Sequence, residues 1–256
     1  MPPALPKPTL VLVHGAWHSS TTWNLLVPLL TAAGYPTATV DLPTAGCTKP
    51  TPMAEDVAVI RKTVGDLLDQ GREVVVIAHS YGSAPATEAM VGLGKDERRA
   101  NGLDGGVIKL IYIAGGVPTK GRAALDVLAS SKPREEGGPW LVPKDLGNGF
   151  TIPTNGEEAF YNDLPEEEAK HHASLLLPQY SPAALEPITY EAYRVIPAAF
   201  IYCEDDRAFT LAQQKEAVQA AGIQQTVSLK TSHSPFLSDP EVVVAAVNEI
   251  LGVGKE

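Results

Sequence analysis

A nine-residue run, Val74-Val75-Val76-Ile77-Ala78-His79-Ser80-Tyr81-Gly82, limits the folds open to this chain more than any other stretch. Val74 to Ile77 are apolar and β-branched, the composition of a strand buried on both faces. Residues 83–90 can be helical, with Pro85 tolerated only in a first turn. Ser80 therefore falls on a sharp turn from strand into helix. Such a turn forces an unfavourable backbone conformation and brings strand and helix close together. Small residues are needed two positions to either side, and Ala78 and Gly82 supply them. A serine presented in this way stands clear at the end of a sheet, where a nucleophile belongs.

The rest of the chain supplies such a sheet. Residues 9–13, 36–40, 107–113, 198–203 and 226–230 read as further strands. Helical spacing of apolar residues marks a helix that contains Leu25, Leu26, Leu29 and Leu30, with Thr22 as its cap and Gly34 closing it. It also marks residues 53–70, where Val57, Ile60, Val64 and Leu67/Leu68 share a face, and residues 211–221, ended by Gly222. Asp239-Pro240-Glu241 opens a last helix that runs to Leu251. Residues 92–106 read as a charged, Gly-rich loop. Strand and helix in alternation mean a parallel sheet covered on both faces. The rhythm breaks at 117–194, which is rich in proline, has no clear strand and holds two helical patches, 157–162 and 165–177. We expect this segment to be a cap inserted into a core made of residues 1–116 and 195–256.

Composition narrows the partners. The chain has 256 residues and a net charge of −10. It has no basic cluster, which argues against nucleic acid and anionic membrane. It also has no apolar run of the roughly 18 residues a spanning helix needs. No signal peptide is visible at the N-terminus, so a soluble cytoplasmic protein is expected. Cys47 and Cys203 are the only cysteines and are expected as buried free thiols. The sequence carries no signal for oligomeric state.

A serine hydroxyl needs a base to take its proton, and the base needs a third group to hold its tautomer. In an open parallel sheet these groups gather at the carboxyl ends of the strands. His233 follows the strand at 226–230. Glu204, Asp205 and Asp206 follow the strand at 198–203, and each is within reach of a histidine in that place. The order along the chain is serine, acid, histidine. An oxyanion would need two N–H donors. The residue after the serine, Tyr81, offers one, and Ala16 in the loop after the first strand offers the other. Gly15 allows the backbone to pass close. The side chains of His14 and Trp17 are expected to pack around this loop rather than to take part in the chemistry. Gly15 and Trp17 border the expected substrate cleft, and Trp140, Phe160, Tyr161 and Leu164, with Leu176 and Tyr180, are candidates to line it from the cap. His171 and His172 are adjacent on a helix and so point to different faces. They read as solvated residues rather than metal ligands.

Four segments carry a resemblance: His14-Gly15-Ala16-Trp17-His18 with Trp23 downstream, Ala78-His79-Ser80-Tyr81-Gly82, Tyr202-Cys203-Glu204-Asp205-Asp206, and Ser232-His233-Ser234-Pro235. They resemble the plant-type esterase and hydroxynitrile lyase group of the α/β-hydrolases, which includes methyl-ester esterases of plant hormones and similar bacterial and fungal carboxylesterases. The likeness covers the chain apart from the cap. It implies an α/β-hydrolase fold of about six mostly parallel strands, helices on both faces, and a small helical cap inserted after the fourth sheet strand. In that group a Cys-x-x-Asp segment carries the catalytic acid, which gives the role to Asp206 beside Ser80 and His233. Its lyases carry Thr after the first loop histidine and Lys after the catalytic histidine. This chain has Gly15 and Ser234, so the resemblance favours the esterase branch.

The expected activity is hydrolysis of a small carboxylic ester, thioester or lactone, with no cofactor and no metal. The rivals are a lyase or C–C-cleaving tailoring enzyme on the same residues, and a receptor that binds a small ligand without turnover.

Overall fold

The structure, a computed structural model, describes residues 7–129 and 141–253. In chain order its elements are β1 (Thr9–Val13), α1 (Leu26–Ala32), β2 (Thr37–Val40), α2 (Met53–Leu68), β3 (Glu73–His79), α3 (Ser83–Ala89), α4 (Lys95–Ala100), β4 (Gly106–Ile113), α5 (Ala124–Ala129), β5 (Pro143–Gly147), β6 (Phe150–Pro153), α6 (Gly156–Phe160), α7 (Glu166–Ser174), β7 (Gln179–Tyr180), β8 (Ala198–Cys203), α8 (Leu211–Ala221), β9 (Gln225–Leu229), α9 (Pro235–Ser238) and α10 (Pro240–Leu251). Six strands form one parallel sheet in the order β2-β1-β3-β4-β8-β9.

Side chains alternate across the sheet with the period of a strand. Val11, Val13, Val74, Val76, Leu110, Tyr112 and Phe200 face one way, packed under Ile60 and Val64 of α2 and the alanines of α3. Leu10, Leu12, Val75, Ile77, Ile111 and Ile201 face the other, under Leu26 and Leu30 of α1 and Val243, Val247 and Ile250 of α10. Both faces are dry, so the central strands read as continuous apolar runs. Asp239 caps α10 by accepting the Val242 N–H, and Gly222 and Gly252 end α8 and α10 in the left-handed conformation.

Four expectations differ from the structure. Thr22 does not cap α1; it lies in a 3-10 turn, Ser20–Trp23, and is buried, so α1 starts only at Leu26, with Leu25 exposed at its N-cap. The charged loop at 92–106 contains α4. Its start is held by the Glu97 carboxylate, which accepts the Gly94 N–H, and its Arg98 is buried against the Asp104 and Leu68 carbonyls. The segment between β4 and β8 is not free of strands: β5, β6 and β7 form an antiparallel sheet. Every residue of β5 is exposed, so no apolar alternation marks it. Finally, Cys203 is buried but Cys47 is only half-buried, with its thiol on the Thr44 carbonyl.

Candidate active site

Ser80 follows β3 at φ 50, the left-handed region that side-chain-bearing residues avoid. The turn is possible because Gly82 lies against the loop after β1: a Cβ on it would stand 2.3 Å from the His14 carbonyl oxygen. Gly15 is equally tight. A Cβ there would stand 2.9 Å from Ser80 Cβ and 2.8 Å from His79 Nδ1. The loop with Gly15 and Ala16 is thus laid directly on the serine.

Asp206 and His233 come together beside His79, the residue before the serine. The imidazole donates Nδ1–H to Asp206 Oδ2 at 2.6 Å, and both side chains are buried. The other carboxylate oxygen accepts the Ala208 and Phe209 N–H groups, each at 2.8 Å. Gln214 donates to Oδ2 at 3.2 Å. Of the three consecutive acids Asp206 turns inward. Glu204 and Asp205 use their backbone N–H groups to extend pairing with the β9 side of the sheet, and the Asp205 side chain is exposed.

Three further histidines are buried around this pair, and each has a tautomer fixed by its partners. His79 donates Nε2–H to the His233 carbonyl at 2.9 Å, and its ring lies 4.6 Å from the His233 ring. The residue before the serine therefore holds the loop that carries His233. His14 donates Nδ1–H to the Gly15 carbonyl and accepts the Leu42 N–H at Nε2. Because the peptide is planar and trans, fixing the Gly15 carbonyl also fixes the direction of the Ala16 N–H. His18 donates Nδ1–H to the Ala16 carbonyl and accepts the Tyr161 hydroxyl at Nε2, 2.8 Å. Burial disfavours the charged form of all three: His14 is lowered, His79 is well below the ordinary histidine value, and His18 is pushed down to about 3.

The residues expected to border a cleft divide. Phe160 is buried with its ring 5.4 Å from His233 and 6.0 Å from Trp17. Tyr161 is buried and engaged by His18. Leu164 is partly buried in the same apolar cluster, as is Trp17. Trp17 has φ 62 and donates its indole N–H to Thr151 on β6. Trp140 lies outside the described residues. His171 is exposed and His172 half-buried on α7; the His172 ring lies against Tyr161, and the two imidazoles lie edge to face.

Some residues escaped the sequence reading. His18 and His79 sit inside motifs whose other members drew the attention. Asp56 is fully buried, and it shares a face of α2 with Met53, Ile60, Val64 and Leu68. An acid three residues after one buried position and four before the next was the signal.

The family model described as the Alpha/beta hydrolase family matches residues 10–246. The chain belongs to the alpha/beta hydrolase family. As such it is a hydrolase, and its relatives include esterases. The Probable hydrolase R7 of a Phoma species is 30% identical over 255 residues, covering 96% of this chain and 99% of that protein. Methylesterase 1 of Arabidopsis thaliana is 22% identical over 253 residues, with 92% of each chain covered. The crystal structure of polyneuridine aldehyde esterase superposes with a TM-score of 0.75 at 19% identity, over 96% of this chain and 99% of that one. That likeness shows a shared fold over nearly the whole of both chains. No helix among the described residues is long and apolar enough to cross a membrane.

Proposed function

We propose that the protein is a serine esterase that cleaves a small carboxylic ester, thioester or lactone through an acyl-enzyme on Ser80. The observation that carries this reading is the buried 2.6 Å hydrogen bond from His233 Nδ1 to Asp206, with the His233 ring 4.6 Å from that of His79, the residue before a serine on a strained turn. With its Nδ1 hydrogen held by the carboxylate, the imidazole keeps Nε2 for the serine proton. Ser80 Oγ attacks the carbonyl carbon as that proton passes to Nε2. The carbonyl electron pair moves onto oxygen, where the N–H groups of Ala16 and Tyr81 receive it. When the tetrahedral species collapses, the leaving alkoxide takes the proton from Nε2. Water then repeats the sequence on the acyl-enzyme and releases the acid. No cofactor or metal enters these steps.

In this reading residues 117–194 are a cap on a core of 1–116 and 195–256, and Gly15, Trp17, Phe160, Tyr161 and Leu164 border the acyl or alcohol side of the cleft. The methylesterase relative supports an ester as substrate. Gly15 speaks against cyanohydrin cleavage: a side chain there, as the lyases of the group carry, meets His79 and Ser80 at under 3 Å. The test is a panel of aryl, short-chain alkyl and lactone esters, with cyanide release from mandelonitrile measured in parallel. Ester turnover with a serine-bound acyl group trapped on Ser80 supports the proposal. Cyanide release without ester turnover overturns it in favour of a lyase. Tight binding of a small ligand with neither activity overturns it in favour of a receptor.

A further inference from the structure

We propose that Asp56 is a positioning residue for this reaction, its buried carboxylate anchoring both backbone segments that offer N–H groups to the oxyanion. The inference rests on the serine-esterase reading above and goes beyond it to a residue outside the triad.

The bonds form one continuous network. Tyr81 donates its hydroxyl to Asp56 Oδ2 at 2.7 Å. Thr44, in the loop after β2, donates its hydroxyl to the same oxygen at 2.7 Å and its N–H to Oδ1 at 3.0 Å. Gln179 on β7 donates to the Thr44 hydroxyl at 2.7 Å, and its amide oxygen accepts the Trp17 N–H at 3.2 Å. Tyr81 is the residue after the serine, and Trp17 follows Ala16. One acid on α2 therefore fixes both sides of the oxyanion site, and it does so through three side chains, Tyr81, Thr44 and Gln179, from separate parts of the chain.

Simple packing does not call for an acid here. Asp56 is 0% exposed, and among the described residues it joins no ion pair. Burying a carboxylate without a cation is costly, and a neutral amide or an apolar residue would fill the space at lower cost. The groups that face it are Tyr81 from the turn after β3, Thr44 from the loop after β2, and Glu186 from the segment before β8, which accepts the Met53 N–H at the start of α2. Burial, with a smaller push from Glu186, raises the Asp56 carboxyl to about 6 against the hydrogen bonds of Thr44 and Tyr81. Three donors already point at its two oxygens. A proton added below that pH makes one of the two hydroxyls turn round, which loosens the hold on Tyr81 or on Thr44.

The test uses a fluorophosphonate, whose phosphorus is attacked by Ser80 Oγ while fluoride leaves and the serine proton passes to His233. Its oxygen develops charge where an ester's would, so the maximal labelling rate reads the oxyanion site without a known substrate. Asp56→Asn is expected to lower that maximal rate about tenfold to a hundredfold, with the half-saturating concentration unchanged within about threefold. The acid-side inflexion near pH 6 that belongs to Asp56 is lost, and any inflexion that remains belongs to the triad. Tyr81→Phe is expected to act in the same direction, and the double variant to be no slower than the slower single one. Should Asp56→Asn fail to fold, Tyr81→Phe carries the test, with the same losses expected. A labelling rate and pH profile equal to wild type, or effects of the two substitutions that multiply in the double variant, overturn the role of Asp56 alone. Absence of labelling in the wild-type protein overturns the serine reading and this inference with it.

Discussion

Replacing Asp206 by Asn tests the triad most sharply, because the surroundings dictate which way the amide must point. Asp206 Oδ1 accepts two backbone N–H groups, from Ala208 and Phe209. Those donors cannot move without moving the loop, so the amide oxygen of Asn takes the Oδ1 position. The alternative orientation sets an NH2 group against both N–H groups and strands them at roughly 1–3 kcal/mol each. The amide nitrogen is thus driven to the Oδ2 position and faces His233 Nδ1. Gln214 cannot relieve the conflict by flipping: its oxygen accepts the Cys203 N–H, and its nitrogen is shared among the Cys203 carbonyl, the Phe209 carbonyl and Asp206. The cheaper response is for the imidazole to change tautomer, accepting at Nδ1 and carrying its hydrogen on Nε2. That nitrogen then has no lone pair for the Ser80 proton. By analogy with other triads, kcat falls on the order of 10⁴, or about 5 kcal/mol in barrier height. The assay is turnover of the best ester from the panel at pH 8, with circular dichroism to check the fold and nitrogen-15 spectra to read the imidazole tautomer. A variant that keeps turnover within about tenfold of wild type refutes this reasoning, as does an equal loss in Asp205→Asn.

Three shorter predictions follow from the same geometry. Ser80→Ala should abolish both fluorophosphonate labelling and ester turnover while leaving the melting temperature near wild type; persistent labelling would show the wrong nucleophile. Gly15→Thr should lose stability by about 1–3 kcal/mol from overpacking against His79 and Ser80, and should lose esterase activity without gaining cyanide release; a stable, active variant would mean the loop has more room than the 2.8 Å and 2.9 Å contacts allow. For Asp56 the sign follows from linkage. Its folded value, about 6, lies above the ordinary 3.8, so the group favours the folded state at low pH and that contribution is lost as pH rises through 6. Relative to wild type, Asp56→Asn should therefore gain stability between pH 4 and pH 8, by up to about 3 kcal/mol, as urea unfolding at both pH values would read; an Asn variant that becomes relatively weaker as pH rises contradicts the burial argument. His18 and His79 have the opposite sign. They are depressed, so the stability they hold above the ordinary histidine value is lost as pH falls below it.

The sheet was legible because its strands are buried on both faces, and uninterrupted runs such as Val74 to Ile77 carry that burial in their composition. The turn at Ser80 was legible because close approach admits only small neighbours. Asp206 was not separable from Glu204 and Asp205 by chemistry alone; its role came from the resemblance, and in the fold the inward side chain distinguishes it. β5 was hidden because its exposed residues show no alternation, although Gly147-Asn148-Gly149, all three at positive φ, mark the hairpin that joins it to β6. Asp56 was hidden for a different reason. An acid in the first turn of a helix has an ordinary explanation in the helix dipole, and only the fold reveals that Thr44 and Tyr81 converge on it, with Gln179 bonded to Thr44 behind them.

Strain explains why the site needs such remote support. Trp17 and Ser80 both adopt positive φ, at 62 and 50, without being glycine. Each conformation costs on the order of 1–3 kcal/mol and lasts only where the surroundings over-determine it. Each also sits beside one of the two proposed oxyanion donors, so relaxing either strain would re-aim an N–H. The restraints are placed accordingly. Trp17 is held at its N–H by Gln179, at its carbonyl by the Leu177 N–H and at its indole by Thr151. All three partners come from the segment between β4 and β8. The Ser80 turn is held by packing of Gly15 and Gly82 and by the Tyr81 hydroxyl on Asp56. The segment between β4 and β8 is therefore structural to the loop after β1, as well as being the proposed wall of the substrate cleft. Changes in it made to alter specificity will also disturb the oxyanion geometry wherever they touch Thr151, Leu177 or Gln179. Substitutions at Phe160 or Leu164, which hold Trp17 by packing alone or not at all, should alter substrate choice with less loss of maximal rate.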